Sequence, residues 1–114
     1  MGKFAVGEVV LGYFPFSDIV RTGKAKKRPC LVVGLEDHGD IILAQITSKA
    51  YSSKRAHRIN SEQFESGGLP VVSYLRPDKL FTADPVLIDR SLGIMTNSAR
   101  LTVLSKIQTV FVEV

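Results

Sequence analysis

Hydrophobic positions along the 114-residue chain fall into short runs at residues 9–14, 31–35, 41–46 and 69–75, with a weaker run at 80–82. Most are rich in β-branched or aromatic residues, and each run predicts a strand. Between Leu35 and Ile41 stand only Glu36, Asp37, His38, Gly39 and Asp40. That is too short for a crossover helix, so the second and third strands are expected as an antiparallel hairpin, with Gly39 supplying the turn. Pro15 limits the first strand, and Gly67 and Gly68 mark a turn before the fourth, after a short helix expected at 61–65. From Thr96 onward Leu101, Leu104, Ile107 or Gln108, and Phe111 recur at three- to four-residue spacing. This predicts a C-terminal helix capped by Thr96 or Asn97. Short strands joined by hairpins and loops, then one helix, predict a mainly β fold: a small antiparallel SH3-like barrel or sandwich with a C-terminal helix.

Composition narrows the class. With 45% hydrophobic and 23% charged residues, residues 1–114 read as one soluble domain with a modest core. No apolar run approaches the ~20 residues that span a bilayer, and the N-terminus lacks the layout of a secretion signal. A cytoplasmic protein without membrane contact is expected. The single cysteine, Cys30, enters an apolar strand and reads as a small buried hydrophobe. The net charge of +4 is modest but unevenly placed. Arg21, Lys24, Lys26, Lys27 and Arg28 fall in one segment and Lys49, Lys54, Arg55 and Arg58 in another, and neither 21–28 nor 49–58 contains an acid. Unmixed positive blocks favour a polyanion such as nucleic acid over a merely solvated face.

The hairpin relates these segments. A turn centred near His38 places Arg28 roughly opposite Ser48 and next to Thr47. Pro29 suits the first position of a strand and holds Arg28 extended. An extended Arg beside a Thr/Ser pair is a candidate phosphate grip, since a guanidinium offers two parallel donors and hydroxyls can donate to further oxygens. The alternative is that Arg28 caps a strand end or pairs with a surface carboxylate. In Arg76-Pro77-Asp78, alternation puts the acid and the cation on one side. The pair reads either as proton acceptor and charge stabiliser or as a surface ion pair at a turn. Lys24, Lys26, Lys27, Lys49, Arg55 and Arg58 are candidates to hold a backbone, Tyr51 to stack on a base, and His57 to assist at phosphate or base. Phe14 and Phe16 are either stacking residues or barrel packing. No phosphate loop, zinc spacing or nucleophile elbow is present, so any chemistry is expected without metal or cofactor.

At these same residues a family resemblance emerges. "GEVVLGYFPFSD", "KKRPCLVVG", "ILAQITS", "GGLPVVSYLRPDKLFTAD" and "LGIMT" resemble, in that order and over nearly the whole chain, the PemK/MazF family of type II toxin–antitoxin toxins. The resemblance implies an SH3-like barrel ending in a helix, a homodimer, inhibition by a cognate antitoxin, and metal-independent cleavage of single-stranded RNA. It implies active-site roles for Arg28 and Thr47, and an acid–base role for Arg76 and Asp78. Many such toxins carry a Glu or His in the loop between the first two strands, whereas residues 19–27 here hold neither. That departure supports an alternative: a relative on the same scaffold that engages nucleic acid or a protein without cutting RNA, as topoisomerase-directed toxins do. An SH3-like adaptor for proline-rich ligands is a third reading, ill served by a chain without Trp.

Overall fold

The computed structural model describes residues 4–14, 26–50 and 54–112. These form seven strands and one long helix: β1 (Glu8–Tyr13), β2 (Lys27–Leu35), β3 (Ile41–Thr47), β4 (His57–Ile59), β5 (Phe64–Gly67), β6 (Ser73–Ala83), β7 (Ile88–Met95) and α1 (Asn97–Val112). All pair antiparallel in one curled sheet, in the order β4-β6-β3-β2-β1-β7-β5. The mainly β fold and the C-terminal helix read from the sequence are both present.

The central strands are apolar at successive positions because both of their faces are buried. Val9, Leu31, Ala44, Ile46 and Leu75 join Ala99, Val103 and Ile107 of α1 in one cluster. Val10, Cys30, Val32 and Leu43 join Phe14 and Ala83 in another, on the opposite side. Phe14 is buried there edge-on to Phe81, ring centroids 5.2 Å apart, so its packing reading holds. Cys30 is fully buried as well, and burial pushes its thiol pKa up, leaving it a small hydrophobe.

Several expectations are corrected. The runs at 69–75 and 80–82 are not two strands: Ser73–Ala83 is one strand passing through Pro77, and residues 69–72 precede it. A proline inside a strand requires a break in the ladder, and the register supplies one. Ala44 pairs with Leu80 and Ile46 with Leu75, so only Gln45 stands against Arg76, Pro77, Asp78 and Lys79. The helix expected at 61–65 is a single 3-10 turn, Ser61–Gln63, followed at once by β5. Strands β4, β5 and β7 had no counterpart among the apolar runs.

Of the stripe expected on the C-terminal helix, only Ile107 is buried. Ala99, Val103 and Ile107 face the sheet, whereas Leu101 is 51% and Phe111 72% exposed. Its cap is Thr96, whose Oγ1 accepts from the Ala99 amide at 3.1 Å.

The β2–β3 hairpin forms as expected, with Gly39 at φ +97°, a conformation that favours glycine. Its register holds one surprise. Leu35 pairs with Ile41 and Gly34 with Ile42, but a bulge follows, and Val32, Leu31 and Cys30 then face Leu43, Ala44 and Gln45. The bulge moves the lower strands by one residue. Carried on by two residues, this register brings Arg28 level with Thr47 rather than Ser48.

Candidate nucleic-acid interface

Cross-strand partners share a face of the sheet, so the registers define a row. Arg58 on β4 stands opposite Tyr74 on β6, Tyr74 opposite Thr47 on β3, and Arg28 on β2 opposite Gly12 on β1. With Arg28 level with Thr47, an Arg–Tyr–Thr–Arg line crosses four strands. Arg28, Thr47 and Tyr74 are half-buried and Arg58 is exposed. Gly12 closes the row for a steric reason: a Cβ there would lie 2.6 Å from the Phe14 ring and 2.8 Å from the Leu87 carbonyl.

The Thr47 hydroxyl accepts from the Lys49 amide at 3.2 Å, which fixes the oxygen at the strand end and leaves its proton to donate. Beside the row, the β6 bulge presents Arg76 and Asp78 on one side of the buried Pro77, with Arg76 Nε 3.5 Å from Asp78 Oδ1. The pair is therefore formed, as alternation foresaw. Among the described residues Arg76 Nε is buried without a hydrogen bond, so the ion pair alone balances its position. Bulges re-aim side chains next to functional sites, and this one carries the Arg-Pro-Asp sequence.

The other basic candidates divide by face. Lys27, one residue before Arg28, points the other way and pairs with Asp89 of β7 at 3.1 Å, with the Tyr13 ring centroid 5.5 Å from its nitrogen. The Asp89 carboxylate raises its pKa. An acid absent from residues 21–28 thus arrives from a distant strand. His57 alternates with Arg58 and turns toward α1, where Nε2 meets Gln63 Oε1 at 2.7 Å. Burial lowers its pKa, against the Gln63 hydrogen bond and together with the nearby Lys106 charge. His57 is therefore not in the row. Lys26, Ser48, Lys49 and Arg55 are exposed, whereas Lys24 and Tyr51 lie outside the described residues.

Sequence reasoning missed Tyr74. It stands two residues before Arg76, so the alternation that joined Arg76 to Asp78 contained the signal. Among the described residues no three His, Cys, Asp or Glu side chains cluster in a way that would hold a metal ion.

A curled antiparallel sheet with one C-terminal helix, a basic row across its strands and an Arg-Pro-Asp bulge beside it define the class, and comparison specifies it. Residues 5–111 match the PemK-like, MazF-like toxins of type II toxin–antitoxin systems, and the chain belongs to that family. Among solved structures it is similar to an endoribonuclease from Mycobacterial species, with a TM-score of 0.70, 15% identity, and coverage of 97% of this chain and 93% of that one. It is also similar to an endoribonuclease in complex with its cognate antitoxin from Mycobacterial species (TM-score 0.68, 14% identity, 92% and 91% covered). The Mycobacterium tuberculosis toxin MazF-mt6 matches at a TM-score of 0.68 and 18% identity, with 91% and 95% covered. At such identities the likeness establishes the fold. No curated protein matches the sequence significantly.

Proposed function

We propose that this toxin is an endoribonuclease that cuts single-stranded RNA without a metal or cofactor, through the row of Arg28, Thr47, Tyr74 and Arg58 and the adjoining Arg76–Asp78 pair. The observation that carries this reading is the strand register, which sets Thr47 and Arg58 against Tyr74 and, carried two residues past the last β2–β3 pair, brings Arg28 level with Thr47, in a chain of this toxin family. Family membership and structural neighbours described as endoribonucleases support it.

In the proposed mechanism Asp78 accepts the 2′-hydroxyl proton and the 2′ oxygen attacks the adjacent phosphorus. The bond from phosphorus to the 5′ oxygen breaks, leaving a cyclic phosphate and a 5′-hydroxyl that takes its proton from solvent. Arg28 and Arg76 neutralise charge building on the equatorial oxygens while Thr47 donates to one of them. Arg58, Lys26, Lys49 and Arg55 hold the backbone and Tyr74 offers a stacking face. As partners we propose a cognate antitoxin, as in the mycobacterial complex, and a second copy of the chain.

Purified protein incubated with a long RNA in excess chelator is expected to yield discrete fragments with 5′-hydroxyl ends. Fragments must vanish when the scissile nucleotide lacks its 2′-hydroxyl; cleavage of that deoxy analogue would rule out the cyclic-phosphate route. Residues 19–27, without Glu or His, favour a second reading, a toxin that binds nucleic acid or protein without cutting. Intact RNA with retained binding would select it.

A further inference from the structure

A second concentration of charge lies on the helix side of the sheet, apart from the row. Lys54, Arg55 and Ala56, which lead into β4, and Lys106 and Thr109 of α1 line an open cavity of about 420 Å³. Three cations from segments some fifty residues apart converge there, and among the described residues no acid lines the cavity. The Thr109 hydroxyl donates to the Lys106 carbonyl at 2.6 Å, so the recognising groups are the cations alone. Charge without directional hydroxyl donors suits a backbone phosphate bound irrespective of sequence.

We infer that Lys54, Arg55 and Lys106 form a second anion site, which holds a backbone phosphate of the RNA away from the scissile position. This rests on the ribonuclease reading above. RNA is favoured over an acidic protein segment by connectivity: Arg55 stands three residues before Arg58, which belongs to the row. β4 is also one of the two edge strands of the sheet, so a single strand leaving the row can pass around that edge onto the helix side.

The test is binding of a mixed-sequence 2′-O-methyl oligonucleotide, which has no 2′-hydroxyl to attack, measured across a range of salt. The double variant Lys54→Gln/Lys106→Gln is expected to bind several-fold more weakly, with a log–log salt slope shallower by about 0.7 for each phosphate no longer neutralised. Lys106→Arg, which keeps the charge, should bind as wild type does, and circular dichroism checks the fold of each. Unchanged affinity and slope in the double variant would overturn the site. Weaker binding to a polyglutamate peptide with no change toward the oligonucleotide would overturn RNA as the occupant. A wild-type protein that binds no RNA at all would overturn the ribonuclease reading along with this one.

Discussion

Lys27 and Arg28 are adjacent cations on β2, and His57 and Arg58 are adjacent basic residues on β4, yet each pair is split between the two faces of the sheet. Arg28 and Arg58 align with Thr47 and Tyr74. Lys27 turns to Asp89, and His57 turns under α1 to Gln63. Charge density does not distinguish members of a pair; strand alternation does, and it assigns one face to the row and the other to support. A basic block on a strand is therefore two half-blocks, and only the half that meets groups from other strands can form a site.

The comparison can be broken by substitution. If the row is the reacting face, Thr47→Ala and Arg76→Ala should each lower kcat on single-stranded RNA about 10²–10³-fold, the usual effect of removing one donor from a developing oxyanion. Single-turnover cleavage reads this out, with unchanged circular dichroism as the check on folding. On the supporting side the effect should fall on stability. Leu75→Ala, under α1, is expected to cost about 2–5 kcal/mol in urea unfolding. Leu101→Ala, on the exposed side of the same helix, should stay within about 0.5 kcal/mol. Equal losses would contradict the buried stripe of α1.

Finer contrasts follow. Tyr74→Ala should weaken RNA binding by about 1–3 kcal/mol if the ring stacks on a base, and Tyr74→Phe should restore it; a titration of fluorescent RNA separates the two. The smallest effect concerns pH and His57. Its folded pKa lies below the ordinary 6.5, so as pH falls below 6.5 the unfolded chain takes up the proton first and stability declines. Above 6.5 the contribution is fully present. The melting temperature should therefore drop between about pH 7.5 and pH 5.5, and drop less in His57→Gln.

How much of this was legible in the sequence depends on burial. β1, β2 and β3 were readable because each is buried on both faces and so spells a continuous apolar run. β7, with Asp89, Arg90 and Ser91 exposed in its middle, and the three-residue β4 give no such run. The helix was found from its period and cap, but its face was misassigned. Ala99 and Val103 repeat with Ile107 at the same spacing as the larger Leu101, Leu104 and Phe111, and size was a poor guide to which stripe meets the sheet. Pro77 stands between the two apolar runs, and only the ladder shows that β6 continues past it by bulging. For the site, Arg28 beside Thr47 and Arg76 beside Asp78 followed from hairpin symmetry and alternation. The one-residue shift at the Val32/Gly34 bulge did not, although Gly34 inside the apolar run was its local signal.

Arg28→Ala and Lys27→Ala, assayed side by side on one RNA, bear most directly on the central claim, since the substitutions are alike and one residue apart. Arg28→Ala should reduce kcat about 10²–10³-fold, while Lys27→Ala keeps both its kcat and its affinity for the RNA. Comparable losses of kcat in both, or full activity in Arg28→Ala, would contradict the assignment of chemistry to the Arg28–Thr47 face.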